Sequence, residues 1–410
     1  RDRGTSDSNQ LWLDVAVYDG DRLIGRSGGM NPEGRVDPWS YFVNVYTLDR
    51  EGRRINRRNG QDIFVPLYNH QIPPGAADVV HYSITLPENI KGPVTIEASL
   101  KYRKFDTEYL QHIQADNFNG NTLPVTTMAT DRITLPVAGG PAVTAENNSD
   151  IPEWERWNDY GIGLLREGNS GASKGELRQA EQVFKTVEAM NPAQGALNLV
   201  RVYFKEGRLD EASAAAHRAA QAEPAAPPWT LAWFSARIDH ENGHLDNAIK
   251  SLERIYHNQF EGARERGFDF SYDTNLLNEL GRINFERARM ERGGKRREQR
   301  EAYLKKSRLW FNRALEIDPE YQPAHYNLAL VYSELGDTEK SSHHRQLHDR
   351  FRPDDYAIEK AVTHHRRNNP AADHAAAPFV IHDLNRPQAY GMHDNTTPLA
   401  KTTRIHQVTR

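Results

Sequence analysis

Residues 327–337 read Asn327-Leu328-Ala329-Leu330-Val331-Tyr332-Ser333-Glu334-Leu335-Gly336-Asp337, and this stretch decides the fold of about half of the chain. Its apolar side chains recur with the period of an amphipathic helix, and Gly336 stands where such a helix would end in a turn. The small Ala329 and the bulky Tyr332 belong to the same helix. A short helix of this kind, followed by a glycine turn, is typical of one half of a helical hairpin.

The same features recur on both sides of this stretch. Phe311 and Pro319 precede it, Pro353 follows it, and the two prolines are 34 residues apart. Further upstream, Pro192 and Pro224 are 32 residues apart. A period of about 34 residues, with an aromatic residue on the second helix and a proline at the end of each unit, is that of the tetratricopeptide repeat.

We therefore predict a tetratricopeptide-like α-solenoid of about five hairpins over residues 151–353. Small residues would let the paired helices approach closely, and large ones would fill the space between neighbouring hairpins. A generic helical bundle is the alternative, but it would not repeat glycine at the turn and proline at the end. In the last repeat Ser341, Arg345 and His348 replace small or apolar residues. That face is expected to be a polar cap or to meet another molecule.

The first 140 residues have a different period. Short runs alternate apolar and polar residues between Gly, Pro and Asn turns, most strictly over residues 94–102. Six or seven such runs predict an antiparallel β-sandwich over residues 1–140, with a small barrel as the alternative. Residues 141–150 are predicted to be a linker, so the chain is expected to be a multidomain β plus all-α protein.

The segment after the repeats, residues 354–410, is predicted to be extended. It contains a short apolar stretch, Ala377-Pro378-Phe379-Val380-Ile381. This stretch is expected to dock on its own domain, or to add a strand to a sheet edge in this chain or in a neighbour.

Composition excludes several classes of protein. The net charge of −4 over 410 residues does not favour binding of the whole molecule to nucleic acid or to an anionic membrane. No apolar run is long enough for a transmembrane helix. Cysteine is absent, which excludes covalent haem attachment by this chain and favours an oxidising, extracytoplasmic compartment. Residues 1–10 contain neither an initiating Met nor an apolar core, and we expect a processed or trimmed end there.

Catalytic motifs are missing from the sequence. It has no nucleophile elbow, phosphate-binding loop, dinucleotide fingerprint or zincin motif, so we expect a non-enzymatic protein with no catalytic or cofactor-binding residues. Asp14, Asp19 and Asp21 could hold Ca²⁺, but Asp-Gly-Asp is also ordinary hairpin chemistry. The basic run 292–300 is interleaved with Glu and lacks aromatic residues, which indicates a solvated insertion rather than a nucleic-acid site.

Histidines are concentrated near the end of the repeats, where seven lie between His325 and His374. His344 and His348 are four apart on a predicted helix, so both rings could face one metal ion, although the same spacing is common on helices without metal. His325 and His343 are candidate partner-binding residues, because imidazole is a usual axial ligand of a haem carried by another protein.

Two tryptophans are further candidates for partner binding. Trp229 and Trp233 are expected mainly to fill the space between helices. An exposed member of the pair could nevertheless anchor a partner.

Several segments are more specific than a strand or repeat pattern. They are residues 36–44 (VDPWSYFVN), 58–64 (RNGQDIF), 67–76 (LYNHQIPPGA), 101–109 (KYRKFDTEY), 123–128 (LPVTTM), 154–165 (WERWNDYGIGLL) and 266–271 (RGFDFS). Together these segments resemble the carboxy-terminal region of bacterial tetratricopeptide-bearing multihaem c-type cytochromes, in which a multihaem domain precedes a β-rich domain and the repeats. The resemblance covers about Leu11 to Tyr390, without the haem-binding domain.

The resemblance implies a role beside a cytochrome. We expect a scaffold or sheath that associates, through its repeats and β-domain, with a multihaem c-type cytochrome in extracytoplasmic electron transfer. Haem would lie on that partner or on a missing domain, and copies of this chain could also assemble. The alternative is a general periplasmic or cell-surface adaptor that binds peptides or polysaccharide and is unrelated to haem.

Overall fold

The structure is a computed structural model that describes residues 9–55, 58–90, 92–143, 149–168 and 175–392. The chain divides into two compact units. The first unit combines the residues up to Asp150 with those from Asp354 onward, and the second comprises the described residues from Ile151 to Pro353. The second unit is thus an insertion in the sequence of the first.

Strands and helices follow one another in a β-rich, then an all-helical, then a mixed order. In chain order they are β1 (Gln10–Asp19), β2 (Arg22–Ser27), β3 (Val45–Leu48), β4 (Val65–Asn69), β5 (His81–Ser83), β6 (Val94–Arg103), α1 (Thr107–Gln114), β7 (Thr126–Leu135), α2 (Glu153–Glu167), α3 (Gly175–Met190), α4 (Pro192–Lys205), α5 (Leu209–Gln221), α6 (Pro228–Glu241), α7 (Leu245–Tyr256), α8 (Glu261–Glu265), α9 (Thr274–Met290), α10 (Arg297–Ile317), α11 (Gln322–Glu334), α12 (Thr338–Phe351), α13 (Asp355–Asn368), α14 (Pro370–Ala375) and β8 (Ile381–Asp383).

The main sheet of the first unit has the strand order β2-β1-β6-β7 among the described residues, and all of its pairs are antiparallel. Two small sheets accompany it, an antiparallel pair of β3 with β4 and a parallel pair of β5 with β8. An antiparallel β-domain is therefore present at the N-terminus. The two packed sheets of the predicted sandwich are not confirmed by this strand pairing.

The turn between β1 and β2 is the Asp-Gly-Asp sequence. Gly20 has φ +59°, a conformation that glycine adopts without steric cost, and Asp19 pairs with Arg22 at 2.7 Å across the turn. Asp14 instead binds Arg26. Asp19 thus has a contact across the hairpin turn, and Asp14 has one across the β1–β2 pair.

The C-terminal segment completes the first unit. Leu384 is buried in the apolar cluster of β1, β2 and β6 with Val15, Val17 and Ile24, and the amide N–H of Arg26 donates to its carbonyl. The prediction of an extended segment over residues 354–410 is wrong for α13 and α14, which are helical. The apolar residues of α13 pack on β3 and β4, where Ala361 meets Leu48 and Val65.

The predicted added strand exists in this chain but lies slightly later than expected. It is β8, and of the stretch Ala377–Ile381 only Ile381 belongs to it. Residues 393–410 lie outside the described residues, as do residues 144–148 of the predicted linker.

In the second unit, five helical hairpins occur within residues 153–168 and 175–351. They pair α2 with α3, α4 with α5, α6 with α7, α9 with α10, and α11 with α12. Gly207, Gly243 and Gly336 stand at three of the turns with φ between +73° and +80°, as the repeat pattern predicts. The solenoid prediction is confirmed as an array of such hairpins.

Close helix pairing depends on small residues placed against aromatic rings. A Cβ on Gly161 would lie 2.5 Å from the ring of Phe184, and one on Gly281 would lie 2.5 Å from that of Phe311. Both rings are fully buried. The repeat signature in the sequence therefore corresponds to a steric requirement between the two helices of a hairpin.

Candidate functional site

The last hairpin gathers four of the predicted site histidines. His325 lies on α11 and is buried, while His343, His344 and His348 lie on α12. His344 stacks on Tyr332 with an interplanar angle of 9°, and His343 meets His344 edge-on with ring centroids 5.5 Å apart. The side chains of His325, Tyr332 and His344 thus form a cluster of rings between the two helices, and His343 contacts this cluster at its edge.

His325 and His344 share a hydrogen bond whose direction follows from a third group. Their Nδ1 atoms are 3.0 Å apart, and His325 Nε2 is 2.9 Å from the carbonyl oxygen of Pro319. A carbonyl only accepts, so the neutral His325 ring donates from Nε2 and accepts at Nδ1. His344 therefore donates from its own Nδ1. Burial lowers the pKa of His344 to about 4, and repulsion from His325 and His343 in their protonated forms acts in the same direction.

His348 has partners of its own. Its Nε2 is 2.8 Å from Gln322 Nε2 and its Nδ1 is 3.1 Å from an Asp349 oxygen. His344 and His348 are therefore turned toward different residues of α11. Within the part of the chain that the structure describes, no group of three or more His, Cys, Asp or Glu side chains could hold a metal ion. The geometry gives no support to the predicted metal site of His344 and His348.

The two candidate tryptophans are both half-buried on α6 and pack against the apolar core of hairpins three to five. Trp229 meets the ring of Phe268 at 6.3 Å and lies under the Arg266 guanidinium. Trp233 lies under Arg237, with 5.8 Å from guanidinium to ring centroid. Trp229 is thus enclosed by its own neighbours, whereas Trp233 belongs to a larger surface.

That surface is here named the arginine–aromatic patch, formed by Arg201 and Phe204 of α4 with Trp233, Phe234 and Arg237 of α6. The contacts are reciprocal between the two helices. Arg201 lies 5.9 Å from the ring centroid of Phe234, and Arg237 lies 4.8 Å from that of Phe204. The two phenylalanine rings meet edge-to-face at 6.2 Å. All five side chains are half-buried.

Neither arginine of the patch forms an ion pair with any residue that the structure describes. Arg201 donates instead to Asn198 Oδ1 at 2.8 Å, and Asn198 donates to Asn158 at 2.7 Å. Burial lowers the pKa of Arg201 from its usual range. Two partly desolvated cations without anionic partners can therefore accept carboxylates from outside the chain.

Sequence reasoning found Trp233 but missed Arg201 and Arg237. The available signal was their spacing. Arg201 stands three residues before Phe204, and Arg237 follows Trp233 by four, so each shares a helix face with its aromatic neighbour. Pairing across α4 and α6 was not visible in the sequence.

Next to the patch, α6 and α9 are joined by a second polar contact. His240 Nε2 lies 2.6 Å from Glu286, and Arg282 donates to His240 Nδ1 at 3.4 Å. Since Arg282 only donates, His240 accepts at Nδ1 and donates from Nε2 to the carboxylate. The Glu286 carboxylate is therefore already bound by His240. Arg201 and Arg237, in contrast, have no carboxylate partner among the described residues.

No helix among the described residues is both long and apolar enough to cross a membrane.

Comparison with protein families places a tetratricopeptide repeat match at residues 310–341, from the end of α10 into α12. No curated protein matches the chain. The match lies within the last two hairpins, and the five hairpins together form a tetratricopeptide-like helical solenoid.

Solved structures similar to this chain include several of MamA. The MamA protein of AMB-1 is 17% identical, with a TM-score of 0.34, over 48% of this chain and 98% of that one. A further MamA crystal structure is 13% identical with a TM-score of 0.35, over 52% of this chain and 94% of its own. A MamA double mutant from RS-1 is 12% identical with a TM-score of 0.37, over 50% of this chain and 96% of its own. The repeat assignment itself depends on the helix pairing and the family match.

Proposed function

We propose that this protein is a non-enzymatic scaffold whose arginine–aromatic patch binds an acidic segment of a protein partner. The observation that carries the proposal is the pair Arg201 and Arg237, two guanidinium groups held against aromatic rings without a carboxylate partner among the described residues. Arginine and aromatic residues are the types that contribute most to binding at protein interfaces.

The chemistry of the patch defines the segment that it would take. A carboxylate of the partner can receive two parallel N–H donors from one guanidinium. Phe204, Trp233 and Phe234 offer apolar surface beside those donors, so an aromatic or aliphatic residue next to the acidic one fits the same surface. Asn198 fixes the Arg201 side chain before binding, which reduces the entropy lost when the complex forms.

The partner that we propose is a multihaem c-type cytochrome in an extracytoplasmic compartment. The support is the sequence resemblance over about Leu11 to Tyr390 and the absence of cysteine, which leaves haem to the partner or to a preceding domain. In this role the repeats would hold the cytochrome and the β-domain would cover it, and copies of the chain would extend the assembly.

The test is a binding measurement with the full chain and a purified multihaem c-type cytochrome. We expect co-elution of haem Soret absorbance with the wild-type chain in size-exclusion chromatography, and a dissociation constant measurable by calorimetry. The double variant R201A/R237A should bind at least about tenfold more weakly, because each guanidinium loses a charge-assisted hydrogen bond. Binding should also weaken as salt is raised.

The matched control is R292A/R297A, which removes the same charge from exposed residues of the second unit. It should bind as the wild type does. Retention of full affinity by R201A/R237A would show that the patch is not the binding surface. Absence of haem absorbance, together with binding of an acidic peptide, would favour the alternative of a general adaptor unrelated to haem.

A further inference from the structure

We propose that the first unit contains a binding site for an uncharged saccharide, in a cleft bordered by aromatic rings, amide side chains and two internally neutralised ion pairs. The cleft has a volume of about 430 Å³. This lies within the roughly 300–1,000 Å³ of small-molecule sites in proteins. The proposal concerns a different unit from the arginine–aromatic patch and does not depend on the proposed scaffold function.

One wall of the cleft is aromatic. Trp39, Phe42, Tyr46 and Tyr68 line it, and each of these side chains is half-buried rather than enclosed in the core. Tyr46 and Tyr68 are neighbours across β3 and β4, with ring centroids 5.2 Å apart. Half-buried aromatic rings at the border of a cleft provide apolar surface against which the C–H groups of a sugar ring can pack, while the hydroxyls point elsewhere.

The charged side chains of the cleft already neutralise one another. Arg35 binds Glu108 at 2.5 Å, and Arg54 lies 3.5 Å from Asp106 and 3.8 Å from Glu108. Two cations thus face two carboxylates. A charged ligand would have to separate one of these pairs and leave its other member without a counter-ion in a partly desolvated site, which costs free energy. The arrangement favours an uncharged ligand.

The carboxyl of Asp106 is the most deeply placed of the four groups. Burial raises its pKa to about 6, with Glu108 acting in the same direction and Arg54 opposing both. Desolvation of this kind at a cleft, next to paired charges, is common at sites that bind or act on ligands. It strengthens every hydrogen bond that Asp106 or Glu108 would accept from a ligand hydroxyl.

Asn44 supplies a buried acceptor at the cleft. It is one of the lining residues, and its Oδ1 has no hydrogen-bond partner among the described residues. Asn369, on the opposite border, is already bound to the carbonyl of His365. A buried acceptor without a donor is uncommon and costs free energy unless a ligand or water satisfies it. A hydroxyl of the saccharide would donate to Asn44 Oδ1.

The aromatic wall, the balanced charges and the buried Asn44 acceptor together indicate the class of ligand. An aromatic wall alone would also suit a nucleobase, and carboxylates alone would suit an amine. The neutral charge balance argues against amines, phosphates and acids. Several donors and acceptors around an aromatic wall match a polyol with one apolar face, which is a pyranose ring.

The test uses the full chain and a defined set of probes. Glucose, galactose, N-acetylglucosamine and the trisaccharides of glucose and N-acetylglucosamine are titrated by calorimetry and by tryptophan fluorescence. Glucuronate, glucosamine and adenosine are the probes of other classes. We expect saturable binding of at least one neutral saccharide, and at least about tenfold weaker binding of its charged analogues.

Two variants test whether the saccharide binds in the cleft. N44A removes an oxygen that has no hydrogen-bond partner within the described part of the chain, so it should leave the melting temperature unchanged while weakening saccharide binding about tenfold. W39A removes one of the four rings of the aromatic wall and should weaken binding and reduce the fluorescence change. N242A and W229A, which change the same residue types in the second unit, should bind as the wild type does.

Four results would overturn the proposal. These are the absence of saturable binding by every neutral saccharide, full affinity in both N44A and W39A, a preference for glucuronate or glucosamine, and adenosine binding in place of sugar. None of these results bears on cytochrome capture, which is measured with R201A/R237A.

Discussion

His325 and His344 face each other across the last hairpin through their Nδ1 atoms, 3.0 Å apart. The Pro319 carbonyl fixes the proton of His325 on Nε2, so the proton between the two rings belongs to His344. One hydrogen-bonded chain thus runs from α12 through α11 to the loop that precedes it. Each of its links can be tested.

We predict that His344 titrates with a pKa of about 4, because its charged form is disfavoured by burial and by the neighbouring imidazoles. Heteronuclear NMR of the histidine ring signals over pH 3–8 measures this value, and the variant H344Q assigns the signal. Its folded pKa lies below the unfolded value, so its contribution to stability is lost as pH falls from about 6.5 toward 4. A transition of the assigned signal near pH 6.5 would contradict the proton arrangement.

Removing His325 should destabilise the second unit. H325A leaves the Nδ1–H of His344 without its acceptor and the Pro319 carbonyl without its donor. We expect a loss of about 1–3 kcal/mol in the free energy of unfolding, measured by urea denaturation. The control is H217A, since His217 is an exposed histidine on α5. Equal effects of the two substitutions would show that the hydrogen-bonded chain contributes nothing.

Gly281 should tolerate no side chain. Its Cβ would lie 2.5 Å from the buried ring of Phe311, so G281A must displace that ring or separate α9 from α10. We expect a destabilisation of about 1–3 kcal/mol, seen as a lower melting temperature. Gly294 has open space around its Cβ position and no positive φ, so G294A is the matched control and should be close to neutral. An unchanged melting temperature in G281A would contradict the close pairing.

Leu384 should be required for the stability of the first unit although it lies far along the chain. It is buried against Val15, Val17 and Ile24, and L384A should cost about 2–5 kcal/mol. Ile381 is nearby on β8 but 46% exposed, so I381A should have a much smaller effect. Calorimetric unfolding of both variants makes the comparison. If both substitutions left the transition unchanged, the segment would not belong to this core.

The buried His382 should make the first unit sensitive to acid. Its Nδ1 donates to the Trp39 carbonyl at 2.9 Å, and burial lowers its pKa to about 4. The unfolded state binds the extra proton between about pH 6.5 and 4, so stability decreases as pH falls through that window, by at most about 3 kcal/mol. Urea denaturation of wild type and H382Q at pH 7 and pH 4.5 measures this. An equal loss in both proteins would exclude His382 as the cause.

The helical hairpins could be predicted because their signal is local and steric. Gly336 ends α11 at a turn, as its place in the pattern predicts, while Gly161 and Gly281 lie against buried aromatic rings of the paired helices. The return of the chain to the first unit could not be predicted in the same way. Thr85 and Asn385 bond across 300 residues, and no periodicity near either residue indicates the other.

The candidate sites were predictable to a smaller extent. The spacing of His344 and His348 placed both on one helix, but the partners that turn the rings apart, His325 and Gln322, are on another. Arg201 and Arg237 gain their significance only when α4 and α6 are side by side. Local spacing identified residue types, whereas their partners depend on tertiary packing.

The insertion of the second unit into the first has a consequence for biosynthesis. A ribosome completes all five hairpins when it reaches Pro353, but it has not yet made α13, α14 or β8. The first unit can therefore be completed only after the second has been synthesised, whereas the domains of a nascent chain generally fold in N-to-C order. Until Leu384 emerges, the apolar face of β1 and β2 lacks one of its core residues and β5 lacks its partner strand. During this interval β5 has an unpaired edge, and an open strand edge of this kind can pair with other nascent chains.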